Sequence, residues 1–147
     1  MNDNHCFADT NVLIYTVDNK SPKKQIAIKL LLTGPIISIQ VVNECTNVLR
    51  RKFQLDYTRI AKIINNYLKK VTLVPITMQT INQAWKIGEK YGYAYYDSLI
   101  IASALENDCT ILYSEDLHHG QIIEERLSIM NPFRSEKEDN HKIEGGV

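Results

Sequence analysis

The sequence predicts an α/β domain in which a mostly parallel sheet is covered by helices on both faces, and three observations carry that expectation. Short apolar runs alternate with longer segments of helical period along most of the chain, which is the pattern of strands joined by helical crossovers. Glycine and proline signals at Thr33-Gly34-Pro35, at Pro75 and at Gly92 punctuate those segments. At 147 residues with 44% hydrophobic side chains, the chain is long enough for one domain that buries most of the surface its unfolded form exposes.

Each element follows from its local pattern. "CFA" and then "VLIYTV" form the first apolar runs, and the Lys/Pro stretch "NKSPKK" leads into the helical "QIAIKLLL", which Thr33-Gly34-Pro35 stops. "IIS" reads as a short buried strand, and Ser38 can cap a helix from about Ile39 to Phe53. Asp56 begins another helix that runs to about Lys70, and "VTLVPI" is a strand ended by Pro75. "TMQTINQAWKIGEKYG" reads as a helix stopped at Gly92. Residues 97 to 107, "DSLIIASALEN", form a helix whose apolar residues spread round the whole circumference, so it is expected to be buried on nearly all sides. "CTILYS" is a strand, and "LSIMNP" is read as the last one. No internal repeat is present. The domain is placed at residues 1 to 133, and the charged stretch 134 to 147, "RSEKEDNHKIEGGV", is expected to be a mobile tail.

Composition excludes several classes of partner. Seventeen basic and seventeen acidic side chains cancel, so any nucleic acid must be met by a local patch rather than by a global field. Cys6, Cys45 and Cys109 show neither CxxC nor Cys/His ligand spacing, and they read as buried free thiols of a cytoplasmic protein. The N-terminal stretch lacks a basic n-region, and Asp9 and Asn11 interrupt its apolar run, so no signal peptide is expected. No run reaches the ~18 apolar residues that a membrane span requires.

Chain direction gathers the acids. Asp9 ends the first apolar run, and Asp116 follows the strand "TILY"; both then fall at the carboxyl edge of a parallel sheet, where ligands bind. A helix leading back into a parallel strand starts at that same edge, which places Asp97 there as well, although as the first residue of its helix it could equally serve as an N-cap. Glu44 lies in the second turn of the helix after "IIS", about 110° from the centre of its buried face. Such carboxylates repel one another, and a divalent cation removes the conflict. Oxygen ligands without cysteine or spaced histidine select Mg²⁺ or Mn²⁺ over zinc. Bound there, the cation would activate a water for in-line attack on a phosphodiester. Thr10, Asn11 and Ser114 stand beside these acids as candidates to orient them or their waters, or as ordinary turn and cap residues.

The segments "FADTNVLIY", "IQVVNECTNVLRRK", "YYDSLIIASAL" and "LYSEDLHHGQ", with "MNPF" near the end, resemble the successive motifs of the PIN-domain ribonucleases, most closely the VapC-type toxins of bacterial toxin–antitoxin pairs. The resemblance runs from about Cys6 to Phe133. It implies a PIN-like three-layer α/β/α fold around a five-stranded, mostly parallel sheet. It further implies a homodimer, Mg²⁺- or Mn²⁺-dependent hydrolysis of RNA that leaves 5′-phosphate and 3′-hydroxyl ends, and inhibition by a small antitoxin protein. By the same resemblance Asp9, Glu44, Asp97 and Asp116 would be the catalytic, metal-holding acids, and Ser114 matches the family's Ser/Thr position before the last Asp. Glu115 is an extra acid between them, and which of Glu115 and Asp116 faces the metal stays open at this point.

RNA contact needs local positive charge. Arg51 falls within about 20° of Glu44 on the helical wheel, flanked by Arg50 and Lys52, and Lys20, Lys23 and Lys24 make a second cluster. Tyr91, Tyr93, Tyr95 and Tyr96 could stack on unpaired bases or pack between helices. His118 and His119 read as a surface turn, and Trp85 as a core or dimer contact. Two other classes compete with a toxin endoribonuclease. A phosphoacceptor signalling domain needs an acceptor Asp after a middle strand and a Lys after a later one, and neither "VTLVPI" nor "TILYS" supplies them. The other is a catalytically silent PIN-like binding module, against which the presence of all four acids argues.

Overall fold

The computed structural model describes residues 5–135. The chain order is β1 (Cys6–Ala8), α1 (Thr10–Tyr15), α2 (Lys24–Leu32), β2 (Ile36–Ser38), α3 (Ile39–Arg51), α4 (Tyr57–Leu68), β3 (Thr72–Val74), α5 (Met78–Tyr91), α6 (Tyr95–Glu106), β4 (Ile111–Tyr113), β5 (Ile122–Ile123) and β6 (Leu127–Met130). The strands pair in the order β3-β2-β1-β4-β6-β5. Five of them are parallel, as expected, with Phe7 opposite both Ile36 and Leu112, and Leu112 opposite Ile129. The sixth, β5, was not expected. It is two residues long and pairs antiparallel to β6 at the sheet edge.

The strands are short apolar runs because helices cover both faces, so the middle residues Phe7, Ile37, Leu112 and Ile129 are wholly buried. The run "VLIY" folds as the helix α1 rather than extending β1. Asp9 turns the chain with φ −76° and ψ 166°, and its carboxylate accepts the Thr10 N–H at 2.7 Å. Helix α3 presents Val41, Cys45 and Leu49 at four-residue spacing to the core. Arg50 and Arg51 in its last turn suit the negative end of the helix dipole.

Helix α6 bears out its all-round apolar pattern, since every residue from Ser98 to Leu105 is buried. Ile100, Ile101, Ala104 and Leu105 join the main core. Leu99 and Ala102 pack with Ala84 of α5 in a smaller cluster. The helix starts earlier than the sequence suggested. Ala94 is its N-cap, so Asp97 sits in the first turn and is not the cap. Between α5 and α6, Gly92 adopts φ 78° as a left-handed C-cap that a β-carbon would strain.

Trp85 is 54% exposed and therefore not a core residue. The three cysteines are free thiols, Cys45 and Cys109 buried and Cys6 partly so. Among the described residues no helix is long and apolar enough to cross a membrane. Residues 1–4 and most of the expected tail, 136–147, lie outside the described residues.

Candidate metal centre

The site begins at the carboxyl end of β1. The Asp9 N–H continues the β1–β4 pairing by donating to the Tyr113 carbonyl at 3.0 Å, which delivers the side chain to the edge of the sheet. Asp9 is 5% exposed, and both its carboxylate oxygens are held: Oδ1 by the Thr10 N–H and Oδ2 by the Ser114 hydroxyl at 2.8 Å. Thr10 also reaches across to α3, donating its hydroxyl to Glu44 Oε2 at 2.9 Å. Two acids distant in sequence are thus tied through one residue.

Asn11 organises the turn after β4. Its Nδ2 donates to Ser114 Oγ at 3.3 Å and to Asp116 Oδ2 at 3.2 Å, and its Oδ1 accepts the Glu115 N–H at 3.2 Å. The Asp116 N–H in turn donates to Ser114 Oγ at 3.2 Å. Asp97 enters from the first turn of α6 and accepts no hydrogen bond from the described residues. A cleft of about 440 Å³ has Asp9, Glu44, Asp97 and Asp116 in its walls, with Lys52 on the α3 side.

Electrostatics in the cleft are one-sided. Burial pushes the Asp9 carboxyl up to about 7, opposed by the Ser114 and Thr10 hydrogen bonds and reinforced by the charges of Glu44 and Asp116. Burial likewise raises Glu44, where Asp97 and Asp116 add repulsion against the Thr10 and Gln40 hydrogen bonds. Asp97 is raised by burial and then by Asp116. Among the described residues, the charges that bear most on these three acids are those of the other acids in the cleft. A set of mutually repelling carboxylates with a buried member is what a cation would relieve.

The donors fit a hard divalent ion, being carboxylates and hydroxyls with no cysteine or histidine in the cleft wall. Among the described residues no three His, Cys, Asp or Glu side chains are drawn together as a finished cage. The acids line one cleft without closing on a common point, a layout with room for the waters that Mg²⁺ keeps.

The structure separates the two neighbouring acids. Glu115 accepts a hydrogen bond from Lys23 Nζ at 2.6 Å and another from the Tyr15 hydroxyl. Asp116 is the one whose charge acts on Asp9, Glu44 and Asp97.

The cationic candidates are sorted as well. Arg50 donates to the Leu55 carbonyl at 3.1 Å and stacks 4.8 Å from the Tyr57 ring centroid, so it secures the end of α3. Arg51 is exposed but not in the cleft wall, and Lys52 is. Arg51 is the last residue of α3 and Lys52 its C-cap, still in helical conformation at φ −81° and ψ −41°, and it is Lys52, on the four-residue repeat that runs from Glu44 through Val48, that reaches the cleft wall. Asn47 and Val48, one turn beyond Glu44, complete this wall and were not singled out from sequence, although the four-residue repeat carries the signal.

Of the tyrosines, Tyr91 hydrogen-bonds Glu124 and Tyr93 bonds Gln121, while Tyr95 and Tyr96 are exposed. His119 Nδ1 accepts the Asn131 N–H, and the His118 ring lies 5.5 Å from that of Tyr93, so both are engaged outside the cleft.

Fold and cleft together define a class: a parallel α/β domain with an acidic cleft at the carboxyl edge of its sheet. The chain belongs to the PIN domain family, whose sequence profile matches residues 6–123. No curated protein matches it in sequence.

Among solved structures it is similar to the DNA-bound VapBC complex of Salmonella typhimurium, with a TM-score of 0.66 at 17% identity over 86% of this chain and 97% of that one. A toxin–antitoxin complex from Klebsiella pneumoniae gives 0.64 at 19% over 88% and 99%. VapC20 of Mycobacterium tuberculosis, described as a sarcin-ricin loop cleaving toxin, gives 0.61 at 18% over 73% and 86%. At these identities the likeness is one of fold.

Proposed function

We propose that the protein is a divalent-cation-dependent endoribonuclease and the toxin of a type II toxin–antitoxin pair. One observation carries the reading: the buried Asp9 shares a cleft with Glu44, Asp97 and Asp116, and the charges that bear on it are those of its fellow acids Glu44 and Asp116. Asp9, Glu44 and Asp97 would hold one or two Mg²⁺ or Mn²⁺ ions, with Asp116 completing the site. Such an ion supplies an activated water and offsets the charge of a phosphodiester.

The chain's own residues prepare that site. Thr10 and Ser114 each hold one oxygen of Asp9, so the buried carboxylate has no freedom to lose when a ligand arrives. Asn11 holds Asp116 and the backbone beside it. Lys52 sets one positive charge on the wall of the cleft for the backbone of an RNA strand. Membership of the PIN family supports the nuclease reading, and the toxin–antitoxin complexes among the structural neighbours support a small antitoxin partner. The protein would act as a homodimer in the cytoplasm.

The test is cleavage of a labelled RNA with Mg²⁺ or Mn²⁺, with EDTA, and with Asp97→Asn. Cleavage should require the metal. Asp97 neither caps α6 nor accepts a hydrogen bond there, so the Asn variant should keep the wild-type circular dichroism spectrum and lose activity by about 100-fold or more, the scale of removing a group that organises transition-state charge. Cleavage that ignores EDTA, or that survives the substitution, overturns the proposal.

A further inference from the structure

Five carboxylates, not four, line the cleft, and the fifth is held apart by a built arrangement. Glu115 Oε2 receives the Lys23 ammonium at 2.6 Å, and its other oxygen receives the Tyr15 hydroxyl. The two side chains are 37% and 20% exposed, so the ion pair is partly shielded from solvent. Lys23 Nζ lies 5.0 Å from the Tyr15 ring centroid and 5.7 Å from that of Phe133, and those rings meet edge-on with centroids 5.0 Å apart. Lys23 is therefore seated over two aromatic rings with its charge aimed at one acid. Asn11 fixes the Glu115 backbone from the other side through its N–H.

From this arrangement we infer that Lys23 is a positioning residue that withholds Glu115 from the cation site, so that the cleft presents four acids to the metal instead of five. The inference rests on the reading of the cleft as a cation site. Its physical basis is ligand count. Glu115 neighbours Asp116 in the chain and has a longer, more rotatable side chain; once released, it would be drawn toward a divalent ion in the cleft. A further carboxylate tightens binding of a hard cation. It would also add negative charge where an RNA phosphate has to enter. Lys23 and Tyr15 thus hold the cation weakly enough, and the cleft open enough to anions, for substrate to share the site.

The experiment is equilibrium titration of the full-length protein with Mn²⁺ in the absence of RNA, following free Mn²⁺ by electron paramagnetic resonance. Lys23→Met should bind Mn²⁺ about tenfold more tightly than the wild type, the scale on which ligand charge tunes such sites. Lys23→Arg should restore the wild-type affinity, because a guanidinium can make the same pair. The double variant Lys23→Met/Glu115→Gln should also return to it, and Glu115→Gln alone should leave it within about twofold, since a withheld acid contributes little to the ion. Unchanged or weaker binding by Lys23→Met, tightening that survives in the double variant, or weakening by Glu115→Gln overturns the inference while leaving the cation site standing. A wild-type protein that binds no Mn²⁺ overturns the cation site and the inference with it.

Discussion

Replacing Asp9 with Asn separates the cost of a buried charge from its use. In the folded protein the Asp9 carboxyl is pushed from 3.8 to about 7, chiefly by burial. Because the folded state holds this proton more tightly than the unfolded chain, the associated stability is fully present below about pH 4 and is lost as the pH rises through about 7. The difference corresponds to about 4 kcal/mol at 1.36 kcal/mol for each tenfold change in proton affinity. Asparagine can still accept the Thr10 N–H, but its amide nitrogen cannot accept from the Ser114 hydroxyl, whose oxygen already accepts from Asn11 and the Asp116 N–H, so the variant removes the charge together with one hydrogen bond. Urea denaturation in EDTA should therefore show the wild type losing stability between about pH 4 and about pH 7, and Asp9→Asn losing markedly less. Glu44 and Asp97 are raised in the same direction, so the variant retains part of the slope. Above about pH 7 and without metal, Asp9→Asn should be the more stable protein, by about 4 kcal/mol less the ~1–3 kcal/mol that the unpaired Ser114 hydroxyl costs. Adding Mg²⁺ should stabilise the wild type and leave the variant almost unmoved, since a ligand stabilises only the state that binds it. A wild-type stability that does not change across this range, or a variant that is equally destabilised at every pH, refutes the reasoning.

Two further outcomes follow from the geometry. Lys52→Ala should weaken RNA binding uniformly across sequences and flatten the slope of log affinity against log salt by about 0.7 for a single strand, read by fluorescence polarisation in EDTA; an unchanged slope means that Lys52 does not meet the backbone. Ile101→Ala, at a wholly buried position in α6, should cost about 2–5 kcal/mol by urea denaturation, and a loss under about 1 kcal/mol would mean that the core around α6 closes over the gap.

Much of this molecule is determined by the sequence alone, because the determining features are local or follow from chain direction. The alternation of short apolar runs with helical segments is enough for a parallel sheet under two helical layers, and the all-round apolar pattern of "LIIASAL" is enough for a helix buried on every side. Parallel connectivity then brings Asp9 and Asp116 to the carboxyl edge, and the helix that returns to β4 brings Asp97 to the same place.

What only the tertiary structure decided depends on contacts between residues far apart in the chain. Nothing near Glu115 announces that Lys23, 92 positions away, pairs with it and leaves Asp116 to face the other acids. The helical wheel set Arg51 beside Glu44, and only the packing of α3 against the rest of the cleft shows that Lys52 is the cation in its wall. The edge strand β5 forms only because β6 lies beside it, since two residues carry no periodicity of their own. Asp97 lost its role as a cap when α6 began at Tyr95, two residues earlier than the apolar stripe. The order of the elements and the edge to which the acids come are written in the chain, whereas the partner each charge takes there is decided only when distant segments pack together.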